Sequence, residues 1–224
     1  MNNKEFTVET FNKMLDKVVF WNSLAGNSAE DKNLIPMYLT LSREEMFGAN
    51  EFLQGWFNGD KVMQADGVAD LVFTVGFFAR LLGDSDLYLD KDDWNSFDID
   101  EAISNLTTDL ILKSDYGVYD SLFGLCYKMS EYMDVEEIFN QVYESNMSKF
   151  LYDPDFTMTM GTLDGEIHQI EDEGRYGDLE AKRVGDYWIL LAGKDLRENK
   201  LFPKAKIVKP STFFEPKNLE KFIY

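Results

Sequence analysis

Five of the six acidic residues in the stretch SREEMFGANEFLQGWFNGDKVMQADGVADLVF, residues 42–73, lie on the two sides of an Asn-Gly turn. They are Glu44, Glu45 and Glu51 before the turn, and Asp66 and Asp70 after it. On a helix, positions i and i+4 share one face, so the two aspartates would point in the same direction. If the flanking helices run antiparallel, Glu51 reaches a similar height on the facing helix.

Carboxylates that converge in this way repel one another strongly. A divalent cation cancels that repulsion, and ligation by oxygen alone suits magnesium or manganese. The spacing therefore favours a metal site made of Glu44, Glu45, Glu51, Asp66 and Asp70. The alternative is that these acids simply face water on two amphipathic helices.

The helices that must position these acids are predicted from the apolar periodicity. We expect a first helix over about 5–21, a second over about 35–57 and a third over about 61–82. In the second helix, Glu44, Gly48 and Glu51 would share one stripe, with Glu45 at its edge. At the turn, Gly59 would take the left-handed conformation and Asp60 would cap the third helix. So short a connection makes the two helices antiparallel neighbours.

The remaining chain divides into a helical and a β-rich part. Helical patterns recur near 98–113 and 118–133, and a further helix begins at Asp134, with Glu137 placed as in a capping box. Beyond Phe150 the runs LEAKRVGDYWILLAGK and KAKIVK are typical of a small β hairpin or meander. The sequence thus predicts a helical domain over 1–150 and a β-rich extension over 151–224.

Composition excludes several classes of function. The 41 acidic and 22 basic residues give a formal net charge of -19, which repels nucleic-acid backbones and anionic lipid surfaces. The sequence contains no apolar run of transmembrane length and no signal-peptide pattern, so we expect a cytoplasmic protein with no membrane partner.

The counts of metal-binding residues narrow the chemistry further. Cys126 is the only cysteine and His168 the only histidine, which excludes multi-cysteine zinc or iron–sulfur sites and multi-histidine metal sites. A nucleophile paired with histidine would have to use His168, which we expect to be a surface strand residue. Carboxylate chemistry with a hard metal ion remains.

Three segments in a fixed order carry a family resemblance. They are residues 39–83, which contain the EE pair and ADGVADLVF, residues 134–150 with the element SNMSK, and residues 204–223. Together they resemble the all-α nucleotide pyrophosphohydrolases, the MazG-like enzymes, and especially the phage-type branch similar to phosphoribosyl-ATP pyrophosphohydrolase. In that family a helix with paired glutamates faces a helix with an acid followed by Asp-Leu.

The resemblance implies a mainly α fold, a MazG-like helical bundle with a small β-rich C-terminal extension, in which about 84–133 is inserted. It implies magnesium- or manganese-dependent hydrolysis of a nucleoside triphosphate, releasing a nucleoside monophosphate and pyrophosphate. The catalytic acids would be Glu44, Glu45 and Asp70, and Asn146 and Lys149 would contact substrate. Relatives are dimers or tetramers, and a phage protein would work in the host cytoplasm.

Two departures from the family pattern leave the activity open. Gly48 and Gly67 stand where relatives carry glutamate, and Glu51 and Asp66 would have to replace those ligands. If they do not reach the metal, the protein would bind or sequester nucleotide without cleaving it. A third hypothesis, an acidic protein-interaction factor, rests on the net charge alone.

Further substrate contacts are proposed outside the carboxylates. Lys206 and Lys209 flank a β-branched pair and form a local positive edge that would contact substrate. Deletion of the residues after about 152 should then weaken substrate binding and leave the helices folded. Trp56 or Trp21 would stack on a base. The alternatives are surface strand lysines and core tryptophans.

Overall fold

The computed structural model describes residues 5–85, 91–114, 117–155 and 161–224. The chain forms two compact units. The first comprises Met1–Ser23, Asn27–Tyr143 and Pro216–Tyr224, and the second comprises Leu24–Gly26 and Glu144–Glu215. The division at 143/144 precedes the expected boundary at 151, and the last residues of the chain return to the first unit.

The described part of the chain is mainly helical, with a small antiparallel sheet in its C-terminal third. The helices are α1 (Val8–Leu24), α2 (Ile35–Phe47), α3 (Phe52–Asn58), α4 (Lys61–Leu82), α5 (Lys91–Ser96), α6 (Ile99–Leu112), α7 (Val118–Met129), α8 (Val135–Met147) and α9 (Leu163–Asp172). Short 3-10 turns occupy Lys32–Leu34 and Leu219–Phe222. None of the described helices is both long and apolar enough to cross a membrane.

Helix α4 is the centre of the first unit and has the predicted bounds. Its side chains are buried on almost every side, and Val68, Leu71 and Val72 are fully inaccessible. The carboxylate of Asp60 accepts hydrogen bonds from the Val62 and Met63 backbone amides, which caps the N-terminus as predicted. Gly59 before the helix has the expected left-handed backbone, with φ 69°.

The single helix expected over 35–57 is wrong, because the structure breaks it into α2 and α3. Gly48 is extended and ends α2, and Asn50 has a left-handed backbone with φ 68°. The break lets Phe52 turn inward, where its side chain is fully buried. The burial of one large aromatic side chain contributes a few kcal/mol, which outweighs the hydrogen bonds of one more helical turn.

Helix α3 packs on α4 at two glycines. A Cβ atom on Gly67 would lie 2.8 Å from the Cα of Phe52, and one on Gly55 would lie 2.9 Å from the Cγ of Met63. Both distances are shorter than real Cβ contacts. The close approach of the two backbones therefore requires glycine at both positions.

The final residues of the chain belong to the core of the first unit. Leu219 is buried in this core, and an isolated antiparallel bridge joins Met133 to Ile223. The backbone amide of Asp134 donates to the Phe222 carbonyl oxygen at 2.8 Å. Removal of everything beyond about 152 would take Leu219 out of this core, so we now expect that deletion to destabilise the helices.

The second unit contains the antiparallel sheet of β1 (Phe150–Tyr152), β2 (Tyr176–Val184), β3 (Tyr187–Asp195) and β4 (Lys200–Ile207). Strand β3 is central, because β1, β2 and β4 all pair with it. The hydrophobic core of the second unit contains Leu151, Ile170, Leu190, Ala192 and Val208. The predicted meander is thus present in the described residues.

Helix α9 was not expected, and it corrects the prediction for His168. This histidine lies on α9 and not on a strand, although it is exposed as expected. Its Nδ1 atom is 3.2 Å from Oε2 of Glu171 on the same helix. The segment is short, and helix and strand periodicity are hard to distinguish over so few residues.

Candidate functional site

Three elements of the first unit bring four of the predicted acids together. Glu44 and Glu45 lie in the last turn of α2, and Glu51 is the residue just before α3. Asp66 lies on α4, next to Gly67. Since Phe52 rests directly on Gly67, the residues that precede them, Glu51 and Asp66, are also brought close.

The predicted stripe of Glu44, Gly48 and Glu51 on one helix is wrong. Gly48 ends α2, and Glu51 belongs to the start of α3 with a backbone φ of -108°. Glu51 nevertheless approaches Glu45, because the chain turns back between the two helices. A Cβ atom on Gly48 would lie 2.4 Å from the Glu44 carbonyl oxygen, so this turn excludes a glutamate at position 48.

The charges of these acids act on one another. The pKa of Glu45 is raised to about 7, mainly by burial and in addition by the negative charges of Glu51, Glu44 and Asp66. Burial also raises the pKa of Glu51, where the hydrogen bond from Glu45 acts in the opposite direction and Asp66 adds to the rise. Glu45 is thus the member of the pair that holds the proton and donates it to Glu51.

The three glutamates of this cluster have no ion pair with a basic side chain in the described residues. Across the described ranges, Glu44, Glu45 and Glu51 take part in none of the ion pairs that the structure contains. Arg43 is adjacent in sequence, but its Nε and Nη2 atoms donate to the Leu110 carbonyl oxygen at 2.9 and 2.7 Å. Arg43 therefore caps the C-terminus of α6.

The contact of Arg43 attaches α6 to the helix that carries the paired glutamates. Helix α6 belongs to the segment expected to be inserted, about 84–133. Residues 86–90 and 115–116 of that segment lie outside the described ranges. Sequence reasoning missed this role of Arg43. The signal available was a single arginine directly before two glutamates.

Asp70 lies one helical turn after Asp66 on α4 and is half-buried. Its backbone carbonyl oxygen accepts a hydrogen bond from the Thr74 hydroxyl at 3.1 Å. The i and i+4 relation of the two aspartates is therefore present as predicted.

The donor atoms of these acids are all oxygens, the type that magnesium and manganese prefer. In the parts of the chain that the structure describes, no group of three or more His, Cys, Asp or Glu side chains is arranged so that it could hold a metal ion. Metal binding by Glu44, Glu45, Glu51, Asp66 and Asp70 thus stays a prediction.

The expected substrate contacts other than Trp56 belong to the second unit. Asn146 lies in the last turn of α8, and the Lys149 ammonium donates to its amide oxygen. On β4, the Lys206 ammonium lies 5.9 Å from the ring centre of Tyr176. Lys209 is 2.9 Å from the carboxylate of Glu215, so this lysine has an anionic partner already.

Both tryptophans considered for base stacking are half-buried and pack against the core of the first unit. Trp21 meets Phe73 edge to face, with ring centres 6.1 Å apart, and packs against the core. Trp56 is half-buried on α3, and the Lys61 ammonium lies 5.8 Å from its ring centre.

A scan against protein-family models, a search of curated proteins and a search of solved structures each returned no match. The resemblance to the MazG-like enzymes therefore depends on the motifs quoted above.

The raised pKa of Glu45 predicts a pH dependence of stability in the cation-free protein. A carboxyl whose folded pKa is about 7 stabilises the fold most below its ordinary pKa of 4.5, and this contribution is lost as pH rises through about 7. Between about pH 5 and about pH 8 we expect a loss on the order of 1 kcal/mol, reduced by solvent screening because Glu45 is only half-buried.

Urea unfolding in the presence of a chelator would measure this loss. Glu45→Gln should flatten the pH profile, whereas Glu180→Gln, which changes an exposed glutamate on β2, should leave it unchanged. Parallel profiles for the parent and Glu45→Gln would contradict the prediction.

Proposed function

We propose that this protein is a nucleoside triphosphate pyrophosphohydrolase that depends on magnesium or manganese. It hydrolyses the bond between the α and β phosphates and releases a nucleoside monophosphate and pyrophosphate. The observation that carries the proposal is the mutual interaction of Glu44, Glu45, Glu51 and Asp66, three of them without a basic partner in the described residues. The motif order shared with the MazG-like enzymes supports it.

The acidic cluster suits a metal-assisted reaction better than direct binding of substrate. A triphosphate is strongly anionic, and these carboxylates would repel it. A bound divalent cation supplies positive charge that offsets this repulsion and the charge that develops on the phosphate oxygens. Glu44, Glu45, Glu51, Asp66 and Asp70 are the residues proposed to hold it.

Among these acids we assign the general base to Glu45. In-line attack at the α phosphorus requires a water that gives up a proton. A cation held by the neighbouring acids would favour the ionised form of Glu45, which could then accept that proton. Glu44 and Asp70 complete the proposed catalytic acids.

Substrate contact is proposed for residues that carry positive charge, an amide or an aromatic face. Lys149 and Lys206 would neutralise phosphate oxygens, and Asn146 offers both a donor and an acceptor. Trp56 would stack on the base. The proposed substrates are canonical or modified deoxynucleotides in the cytoplasm, and the proposed assembly is a homodimer or homotetramer, as in relatives.

A panel of nucleoside triphosphates, assayed with magnesium and with manganese, tests the reaction class. We expect at least one substrate to release pyrophosphate and monophosphate in equal amounts, and a chelator should stop the reaction. The stepwise release of orthophosphate would contradict attack at the α phosphorus. A panel without any turnover would contradict the enzyme proposal.

A second candidate function is a module that binds nucleotide without cleaving it. It is favoured by Gly48 and Gly67, because the backbone packing at both positions excludes the glutamates that relatives use there. Equilibrium binding of a nucleoside triphosphate in the presence of magnesium, without product formation over hours, would support this candidate over the enzyme.

A further inference from the structure

Two serines at the end of α8 bind one residue of the C-terminal segment from both sides. The Ser145 hydroxyl donates to the Phe214 carbonyl oxygen at 2.8 Å. The Phe214 backbone amide donates to the Ser148 hydroxyl oxygen at 3.2 Å. Both polar groups of the Phe214 backbone are therefore held by side chains within the second unit.

The Ser148 hydroxyl is used in both of its capacities. While its oxygen accepts from Phe214, its proton is donated to the Ser145 carbonyl oxygen at 2.6 Å. Ser145 itself is buried, with 4% of its surface exposed. A hydroxyl whose donor and acceptor are both engaged has one orientation, so the backbone between the two serines is held in one conformation.

The residues held in this way are the ones to which the proposed function assigns substrate contact. Asn146 lies between the two serines and Lys149 follows directly after them. These two side chains also contact each other through the hydrogen bond from Lys149 to the Asn146 amide oxygen. The serines thus fix the backbone from which both groups project.

We propose that Ser145 and Ser148 are positioning residues that hold Asn146 and Lys149 in the geometry that binds nucleotide. This inference rests on the proposed function and adds the device that orders its phosphate-binding element. The Phe214 backbone acts as the fixed support, which ties the element to the segment after β4. Neither serine touches the nucleotide in this proposal.

Steady-state kinetics of Ser148→Ala and Ser145→Ala test the inference on the nucleoside triphosphate that the panel identifies. We expect KM to rise by about three- to tenfold in each variant, with kcat within about twofold of the parent, because the loss affects binding and not the bond-breaking step. Inhibition by added inorganic pyrophosphate should weaken by the same factor, since Lys149 would bind phosphate in both molecules.

Two further variants separate positioning from general stability. Ser148→Thr keeps a hydroxyl and should restore KM towards the parent value. Ser130→Ala is the matched control, because its hydroxyl donates to the Tyr127 carbonyl oxygen at 2.6 Å at the end of α7, the same local bond as in Ser148 but in the other unit. It should leave KM unchanged.

The outcomes are distinct for the two proposals. A parent protein without turnover overturns the enzyme proposal and this inference with it. If the parent turns over, an unchanged KM in Ser148→Ala and Ser145→Ala overturns the inference alone. The inference is also overturned if Ser148→Ala and Ser145→Ala lower kcat as strongly as they raise KM. It is overturned as well if Ser130→Ala raises KM to the same extent, because a general structural role would then account for the result.

Discussion

Asp70→Asn is expected to lower pyrophosphate release by a factor on the order of a hundred to a thousand, while the fold is retained. The substitution removes the negative charge of a proposed metal ligand and keeps the size of the side chain. Asp70 is half-buried on α4, where the hydrogen bond of its backbone carbonyl to Thr74 does not depend on the carboxylate. This backbone hydrogen bond is therefore kept in the variant.

The same substitution should have opposite effects on stability with and without metal. Without metal, one negative charge fewer near Asp66 relieves repulsion, so the melting temperature should stay equal or rise. With magnesium at millimolar concentrations, the parent should gain stability by mass action and the variant should gain less. Thermal unfolding of both proteins, with a chelator and with magnesium, measures the difference.

An exposed aspartate offers the matched control for this experiment. Asp172→Asn changes the last residue of α9, which is exposed and belongs to the second unit, and should behave as the parent in both assays. Full activity of Asp70→Asn, together with melting temperatures that magnesium leaves unmoved, would show that the acids of α2 and α4 are only solvated helix residues.

Gly67→Ala is expected to destabilise the protein by about 3 kcal/mol. This is the reverse of the usual effect, since alanine in a helix interior is normally more stable than glycine by about 1 kcal/mol. The added methyl group would lie 2.8 Å from the Cα and 3.0 Å from the backbone nitrogen of Phe52. Backbone atoms cannot turn away as a flexible side chain can. Helix α3 would have to leave its place on α4.

The identity of the clashing atoms gives this prediction a sharp control. Phe52→Ala removes the ring but keeps the backbone and the Cβ atom, so it should not restore the stability lost in Gly67→Ala. Gly67→Glu, which introduces the residue of the MazG-like pattern, should destabilise the protein more than alanine does and should not raise activity. Urea unfolding of the single and double variants measures these effects, and a Gly67→Ala protein as stable as the parent would contradict them.

Local sequence signals were sufficient to predict a helix when the residues that cap it are adjacent to it in sequence. Helix α4 could be predicted at Lys61–Leu82 because Asp60 and the glycines at both ends specify its caps, and its apolar residues continue throughout. The helix beginning near Asp134 was found for the same reason, since the Glu137 amide donates to the Asp134 carboxylate at 3.1 Å. Such signals act within a few residues and need no tertiary partner.

Signals of this kind were not sufficient where a distant residue decides the conformation. Nothing near Phe52 in sequence shows that it is buried against Gly67, so the separation of α2 from α3 could not be predicted. The position of Glu51 follows from that separation. The return of Leu219 to the helical core and the binding of Phe214 by Ser145 depend in the same way on partners far along the chain.

For this protein, the sequence by itself determined the acidic composition, the oxygen-only set of candidate ligands, the helix α4 and the β-rich nature of the later chain. These properties depend on residue type, on periodicity and on caps, which are local. The tertiary structure decided that Glu44, Glu45, Glu51 and Asp66 interact, and that burial together with these negative charges raises the pKa of Glu45 to about 7. Both results require a backbone contact between α3 and α4, because only packing brings together charges that belong to separate helices and removes them from water.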